Sequence, residues 1–275
     1  MGFSVGHVVD YNKSVSINKQ QNINVGYGFR KNPYVSFTST KDTFNKNSVE
    51  RYMSEAAIKN AMVTNPRIKM ILNENNMPVR LNMKELQELS QNHSLETQNT
   101  AMGIVEHLPK ALRDNVNIQS IKDASYLHDI GKVLIPLNVL NKNGQLTAEE
   151  REIMKLHSEL GYELLKNTDI DTRTLYLVKY HHQNSSHTGY PKVNEDFMAD
   201  INLQVLSAAD KYSALTENRV YRNGLDKNKA LWVLYKDVKK ENLHPFVFKA
   251  LCEYVNSCQN QEKNLQARQE ICEKL

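Results

Sequence analysis

Apolar residues recur at helical spacing along most of the 275-residue chain, starting near residue 48. Tyr52, Met53, Ala56, Ala57 and Met62 share one face behind Asn47, which reads as an N-cap with Glu50 three residues on. Asn65-Pro66 interrupts that helix, because proline restricts the residue before it. From Asn82, with Glu85 following, a single stripe carries Met83, Leu86, Leu89, His93, Thr97, Thr100, Ala101 and Ile104. Residues 119–130 read as a short buried helix that delivers His128 and Asp129 at its end. Thr147 and Glu150 form a capping box for a helix reaching about Lys166, with His157 on its apolar face. Further helices are expected over 172–183, ending in His181-His182, and over 199–217, with Asp210 inward. Asp226 caps another, and His244-Pro245 breaks the chain before the last. Neither an internal repeat nor a convincing strand follows residue 50. The pattern predicts an all-α bundle.

Residues 1–47 have a different character. They are rich in Asn, Ser, Lys, Tyr and Gly and lack a helical period. Such a segment buries little apolar surface and is expected as a flexible or loosely docked polar arm. The organisation expected is therefore this arm, a helical connector over 48–80, a catalytic domain over 81–258 and a polar C-terminal helix or tail over 259–275.

Composition narrows the function classes. Hydrophobic residues make up 40% and charged residues 24%, with a formal net charge of +4. That charge gives no case for binding a nucleic-acid polymer. The longest apolar run falls far short of the ~20 residues of a membrane span. The start, Met-Gly-Phe-Ser-Val-Gly, lacks the basic and apolar regions of a secretory signal. Cys252, Cys258 and Cys272 show no metal-ligand pairing and are expected as reduced thiols. Together these features point to a soluble cytoplasmic protein with no membrane partner. A homodimer stays open.

The chemistry lies in a ladder of histidines and aspartates: His93, His128, Asp129, His157, His181, His182 and Asp210. Most fall on apolar helix faces, where unpaired polar groups are costly to bury unless a cation gathers them. A set of imidazoles and carboxylates without sulfur suits iron, manganese or zinc-like ions rather than a structural zinc knot. Seven ligands exceed what one tetrahedral ion takes. Two divalent ions bridged by Asp129 fit the count, and two such ions can clamp a phosphate ester for in-line attack. His7, His107, His187 and His244 lack such partners and are read as surface or loop residues.

From about residue 90 to 225 the chain resembles the HD-GYP branch of the HD phosphohydrolase superfamily. The resemblance rests on the ladder above, on Lys132 after the His-Asp pair, on Gly189-Tyr190-Pro191, and on Arg219 and Arg222 in Arg-Val-Tyr-Arg. It implies a helical domain around an iron or manganese centre held by the seven ladder residues, with Asp129 and Lys132 in catalysis. It further implies that Lys132, Gly189, Tyr190, Pro191, Arg219 and Arg222 meet a cyclic dinucleotide, most often cyclic di-GMP. Three departures stand out. Gln183 replaces the usual Glu after the His-His pair, and Ser186-His187 replaces the usual Asp-Gly. Leu89 stands where three-metal members carry a Glu, with Glu88 one residue off register, which argues against a third ion. Hydrolysis of another nucleotide on the same centre, and a non-catalytic signalling module, remain alternatives.

Overall fold

A computed structural model describes residues 49–217 and 223–272, with side chains through residue 260. The polar arm expected over 1–47 lies outside the described residues. So do Arg219 and Arg222. Among the described residues every regular element is helical.

After a 3₁₀ turn at Arg51–Met53, Ser54 caps α1 (Glu55–Thr64) by accepting from the Ala57 N–H. The helix expected behind Asn47 is thus interrupted at Ser54; Asn47 itself lies outside the described residues. Asn65 ends α1 and caps α2 (Pro66–Glu74), with Pro66 in the first turn, where a missing N–H costs nothing. Asn65 Nδ2 also donates to the Glu163 carbonyl at 2.8 Å and to its carboxylate at 2.7 Å. Ile58, Met62, Ile68, Ile71 and Leu72 are buried. The expected connector over 48–80 is therefore a layer of the main core, and the described residues form one compact unit.

The single stripe expected from Asn82 is two helices, α3 (Met83–Gln91) and α4 (His93–His107). Asn92 separates them: its side-chain amide donates to the Glu88 carbonyl at 3.1 Å, competing with the helical ladder. Asn82 is the N-cap residue of α3 as expected, but its side chain makes no cap bond, and its amide bonds the Ile135 carbonyl instead. A four-residue α5 (Lys110–Arg113) leads to α6 (Ile118–Leu127), then a 3₁₀ turn at Ile130–Leu134 and a short α7 (Leu137–Leu140). The capping box of Thr147 and Glu150 opens α8 (Ala148–Leu165) as expected. Then come α9 (Thr172–Tyr180), α10 (Ile201–Thr216), α11 (Lys227–Lys239) and α12 (Pro245–Cys272). The last runs as one continuous helix across the boundary expected at residue 258.

Helix α4 is the central post. It packs on α6, α10 and α12, while α9 bridges α6 and α8. Ala101, Ile104, Ile121, Leu127, Leu160, Leu177, Val178 and Leu206 fill the space between them and are buried. Each such aliphatic side chain contributes ~1.5–3 kcal/mol relative to exposure. That dry packing carries polar groups at its centre.

Candidate metal centre

Five helices and a 3₁₀ turn deliver the ladder residues to one point. His93 opens α4, His128 caps α6 and Asp129 precedes the 3₁₀ turn. His157 lies within α8, His181 and His182 follow α9, and Asp210 lies within α10. All but His182 are buried. Close backbone packing holds the pieces in register. A Cβ on Gly131 would meet the His157 carbonyl oxygen at 2.0 Å, so only glycine lets the turn carrying Asp129 approach α8.

Three histidines share one arrangement. The Nδ1–H groups of His128, His157 and His181 donate to the carbonyls of Ser125, Met154 and Val178 at 2.9, 2.7 and 2.8 Å. Each accepts three residues back in the chain, on the turn that carries the ring. The proton is thereby held on Nδ1, and the Nε2 lone pair faces the cluster. His157 Nε2 lies 3.2 Å from His181 Nε2 and 3.1 Å from His182 Nε2. Bare lone pairs that close repel one another. Two nitrogens ~2.1 Å from a shared ion stand ~3.0–3.4 Å apart, so the spacing suits a cation between them.

The carboxylates complete the set. Asp129 Oδ1 lies 3.3 Å from His157 Nε2, while its Oδ2 lies 3.3 Å from His128 Nε2 and 3.8 Å from His93 Nε2. Asp210 Oδ1 lies 3.1 Å from His93 Nε2, and Oδ2 lies 3.7 Å from His182 Nδ1. Asp129 Oδ1 and His128 Nε2 are buried without a hydrogen bond. Orphaned polar atoms of this kind are rare in folded proteins and call for an explanation. The donor atoms fall into three overlapping groups that could each hold an ion: Asp129 with His157, His181 and His182; His93, His128 and Asp129; and His128, His181 and Asp210.

Electrostatics in the bare cluster are extreme. Burial alone would raise the Asp129 carboxyl, yet the Lys132 ammonium and His128 hold it well below the usual range. Burial would likewise raise Asp210, and the neighbouring His128 and His93 hold it down. His128, burial notwithstanding, is pushed up to about 10 by Asp129. Burial pushes His157 down to about 3 and His182 down to about 4. Without an ion, the carboxylates thus favour the charged form of His128 and shift His93 in the same direction, while burial keeps His157, His181 and His182 neutral.

Around the cluster opens a cavity of about 800 Å³, lined by Lys132, Tyr190, Lys211 and Glu217 among others. Lys132 Nζ bonds Asp129 Oδ2 at 2.5 Å. The Tyr190 ring lies 4.5 Å from the His182 ring, between centroids. Its loop is fixed by Gln183, which is buried. Gln183 Oε1 accepts from the Asn184 and Gly189 N–H groups at 2.9 Å each, and Nε2 donates to the Pro191 carbonyl at 2.8 Å. The Tyr190–Pro191 peptide is cis. A Cβ on Gly189 would meet the His182 carbonyl oxygen at 2.1 Å. Of the residues singled out from sequence, Lys132, His157, His181, His182, Tyr190 and Asp210 line this cavity, and His93, His128 and Asp129 lie against them in the cluster. Glu217 was not anticipated, although it lies seven residues after Asp210 and so on the same face of α10. His187, read as a loop residue, adopts φ +57° and bonds the Phe197 carbonyl at 2.9 Å.

A family model for the HD domain matches residues 81–245. The chain is 33% identical over 144 residues to the cyclic di-GMP phosphodiesterase response regulator RpfG of Xanthomonas campestris pv. campestris, covering 51% of this chain and 37% of that protein. It is 36% identical over 110 residues to a cyclic di-GMP phosphodiesterase of Thermotoga maritima, covering 39% of this chain and 30% of that one. To the 3'3'-cGAMP-specific phosphodiesterase 2 of Vibrio cholerae it is 36% identical over 107 residues, covering 38% and 20%. The chain thus spans well under half the length of these relatives. Among solved structures its fold is similar to Bd1817, a HDG"Y"P protein from Bdellovibrio bacteriovorus, with a TM-score of 0.50 at 19% identity over 77% of this chain and 66% of that one. The family match runs from the start of the α3 region to the start of α12 and encloses every ladder residue. By that match the chain belongs to the HD domain family.

Proposed function

We propose that this chain is a metal-dependent phosphodiesterase that hydrolyses a cyclic dinucleotide, with cyclic di-GMP the first candidate. The observation that carries the reading is the shared position of Asp129. Its two carboxylate oxygens face different histidine groups, His157 on one side and His93 with His128 on the other. That is the arrangement expected of a ligand bridging two ions. His157, His181 and His182 would hold one ion, and His93, His128 and Asp210 the other. Iron or manganese suits this nitrogen and oxygen set, and Leu89 still argues against a third ion.

When bound, such ions would supply Lewis acidity toward the phosphoryl oxygens and a water of lowered pKa. The chain's own residues do the rest. Burial of the ligands excludes competing water and strengthens each charge interaction. Lys132, the ammonium nearest Asp129, is placed to meet charge that develops on a phosphoryl oxygen. Tyr190 offers an aromatic face at the cavity wall for a nucleobase, with Gly189 and Pro191 setting its loop. Arg219 and Arg222 are assigned to ester oxygens, which planar guanidinium forks bind well. In this reading the protein acts in the cytoplasm as part of second-messenger signalling.

The likeness to relatives named for cyclic di-GMP agrees with this reading, and the equally similar Vibrio relative favours cyclic GMP-AMP as a second substrate. A screen of the manganese- or iron-loaded chain against cyclic di-GMP, cyclic GMP-AMP and mononucleotides tests the assignment. Turnover of cyclic dinucleotides above mononucleotides is expected. Preferential turnover of a mononucleotide would replace the cyclic dinucleotide with that substrate.

A further inference from the structure

Among the cluster histidines, His93 is anchored differently. His128, His157 and His181 each give their Nδ1 proton to a carbonyl of the preceding turn. His93 is the first residue of α4, so no turn of its own helix stands behind it. Its Nδ1 is buried and makes no hydrogen bond. The group facing that nitrogen is a carboxylate: Glu217 Oε2 lies 3.4 Å away. Glu217 is the C-cap residue of α10, two turns beyond Asp210. One helix therefore places a carboxylate at each nitrogen of the His93 ring, Asp210 Oδ1 at 3.1 Å from Nε2 and Glu217 Oε2 at Nδ1.

We infer that Glu217 is the positioning residue for His93: it takes the Nδ1 proton in a hydrogen bond, fixes the tautomer and leaves Nε2 free to bind an ion beside Asp129 and Asp210. The inference rests on the metal-centre reading above. Ring nitrogens remote from a bound ion ordinarily donate to a carbonyl, a carboxylate or water, which sets ring orientation and raises ligand basicity. Here His128, His157 and His181 use carbonyls, and a carboxylate is the acceptor available to His93. Glu217 keeps 29% of its side chain exposed at the edge of the cluster. Its removal would leave His93 free to rotate or to take the opposite tautomer, with Nε2 protonated and unable to coordinate.

Two measurements on the full chain test this. The first is Mn²⁺ affinity by chelator competition in the unsubstituted protein, Glu217→Ala and Glu217→Gln. Loss of a remote hydrogen-bond partner typically weakens metal binding 10–100-fold, so about a 10-fold loss is expected in the alanine variant. Glu217→Gln keeps an acceptor oxygen and should recover much of it. The second is the ¹⁵N signature of the His93 ring in the unsubstituted protein loaded with diamagnetic Zn²⁺, which should report Nδ1 protonated. That signature decides the matter even if Glu217→Ala folds poorly. Unchanged Mn²⁺ affinity in Glu217→Ala, or His93 protonated on Nε2, would overturn the role of Glu217 and leave the metal centre standing. Absence of Mn²⁺ binding in the unsubstituted chain would overturn both.

Discussion

Lys132 Nζ donates to Asp129 Oδ2 at 2.5 Å, three residues along the same tight turn. The pair joins the expected bridging ligand to the ammonium closest to the cluster. Lys132 is largely buried, with 15% of its side chain exposed, so its charge is poorly screened. Replacing it by alanine should lower kcat/KM for the cyclic dinucleotide on the order of 10–100-fold, or ~1.4–2.8 kcal/mol. Bound metal should stay near the level of the unsubstituted protein, because Lys132 offers no ligand to it. Steady-state kinetics alongside elemental analysis check both halves. Unaltered kinetics would remove Lys132 from the site.

Gln183 explains one departure from the family pattern. Its amide both accepts and donates, holding Asn184, Gly189 and Pro191 around the cis peptide. A glutamate could accept from the same N–H groups and could not donate to the Pro191 carbonyl while ionised. Gln183→Glu should therefore raise KM about fivefold for the ~1 kcal/mol of one lost hydrogen bond, with little change in kcat. Gln183→Leu loses all three bonds and should do worse. Equal KM values across the three proteins would show that this loop does not face the substrate.

The protonation pattern predicts how the metal-free protein responds to pH. Burial sets His157 at about 3 and His182 at about 4, below the ~6.5 of an unfolded histidine. The unfolded chain then binds more protons, so stability falls as pH drops below ~6.5, by ~1.4 kcal/mol per pH unit for each proton. His128 works the other way. With Asp129 beside it, its folded value is about 10, so its contribution is full below ~6.5 and is lost as pH rises toward 10. Melting temperature in excess chelator should peak near neutrality and decline on both sides. A Tm that rises steadily from pH 7 down to pH 5 would contradict the assignment.

Much of this was legible in the sequence because helical periodicity and capping are local. Thr147 with Glu150, Asn65 before Pro66, and Asp226 each mark the boundary that the structure shows. The ladder was legible because buried imidazoles and carboxylates at helical positions have few other physical explanations. What escaped depends on contacts across the fold. Asn92 reads as one more polar residue on a stripe, and the α3–α4 break appears only once its amide meets the Glu88 carbonyl. Asn82 reads as a cap, yet the nearby Ile135 carbonyl claims its side chain. The connector's burial against α8 was not legible because it involves residues about a hundred positions away, as Asn65 and Glu163 show. Glu217 could have been found from its spacing to Asp210, but spacing alone gives no hint that His93 lacks a carbonyl partner.

The central claim is that Asp129 joins two ions into a centre that hydrolyses a cyclic dinucleotide. It is tested most directly by following cyclic di-GMP in the manganese-reconstituted chain and in Asp129→Ala. The account predicts a linear or mononucleotide product from the unsubstituted chain that requires added metal. In the alanine variant both product and bound metal should be lost while the helical circular dichroism is kept. Intact cyclic di-GMP after incubation with a chain carrying two ions, or equal turnover by Asp129→Ala, would contradict it.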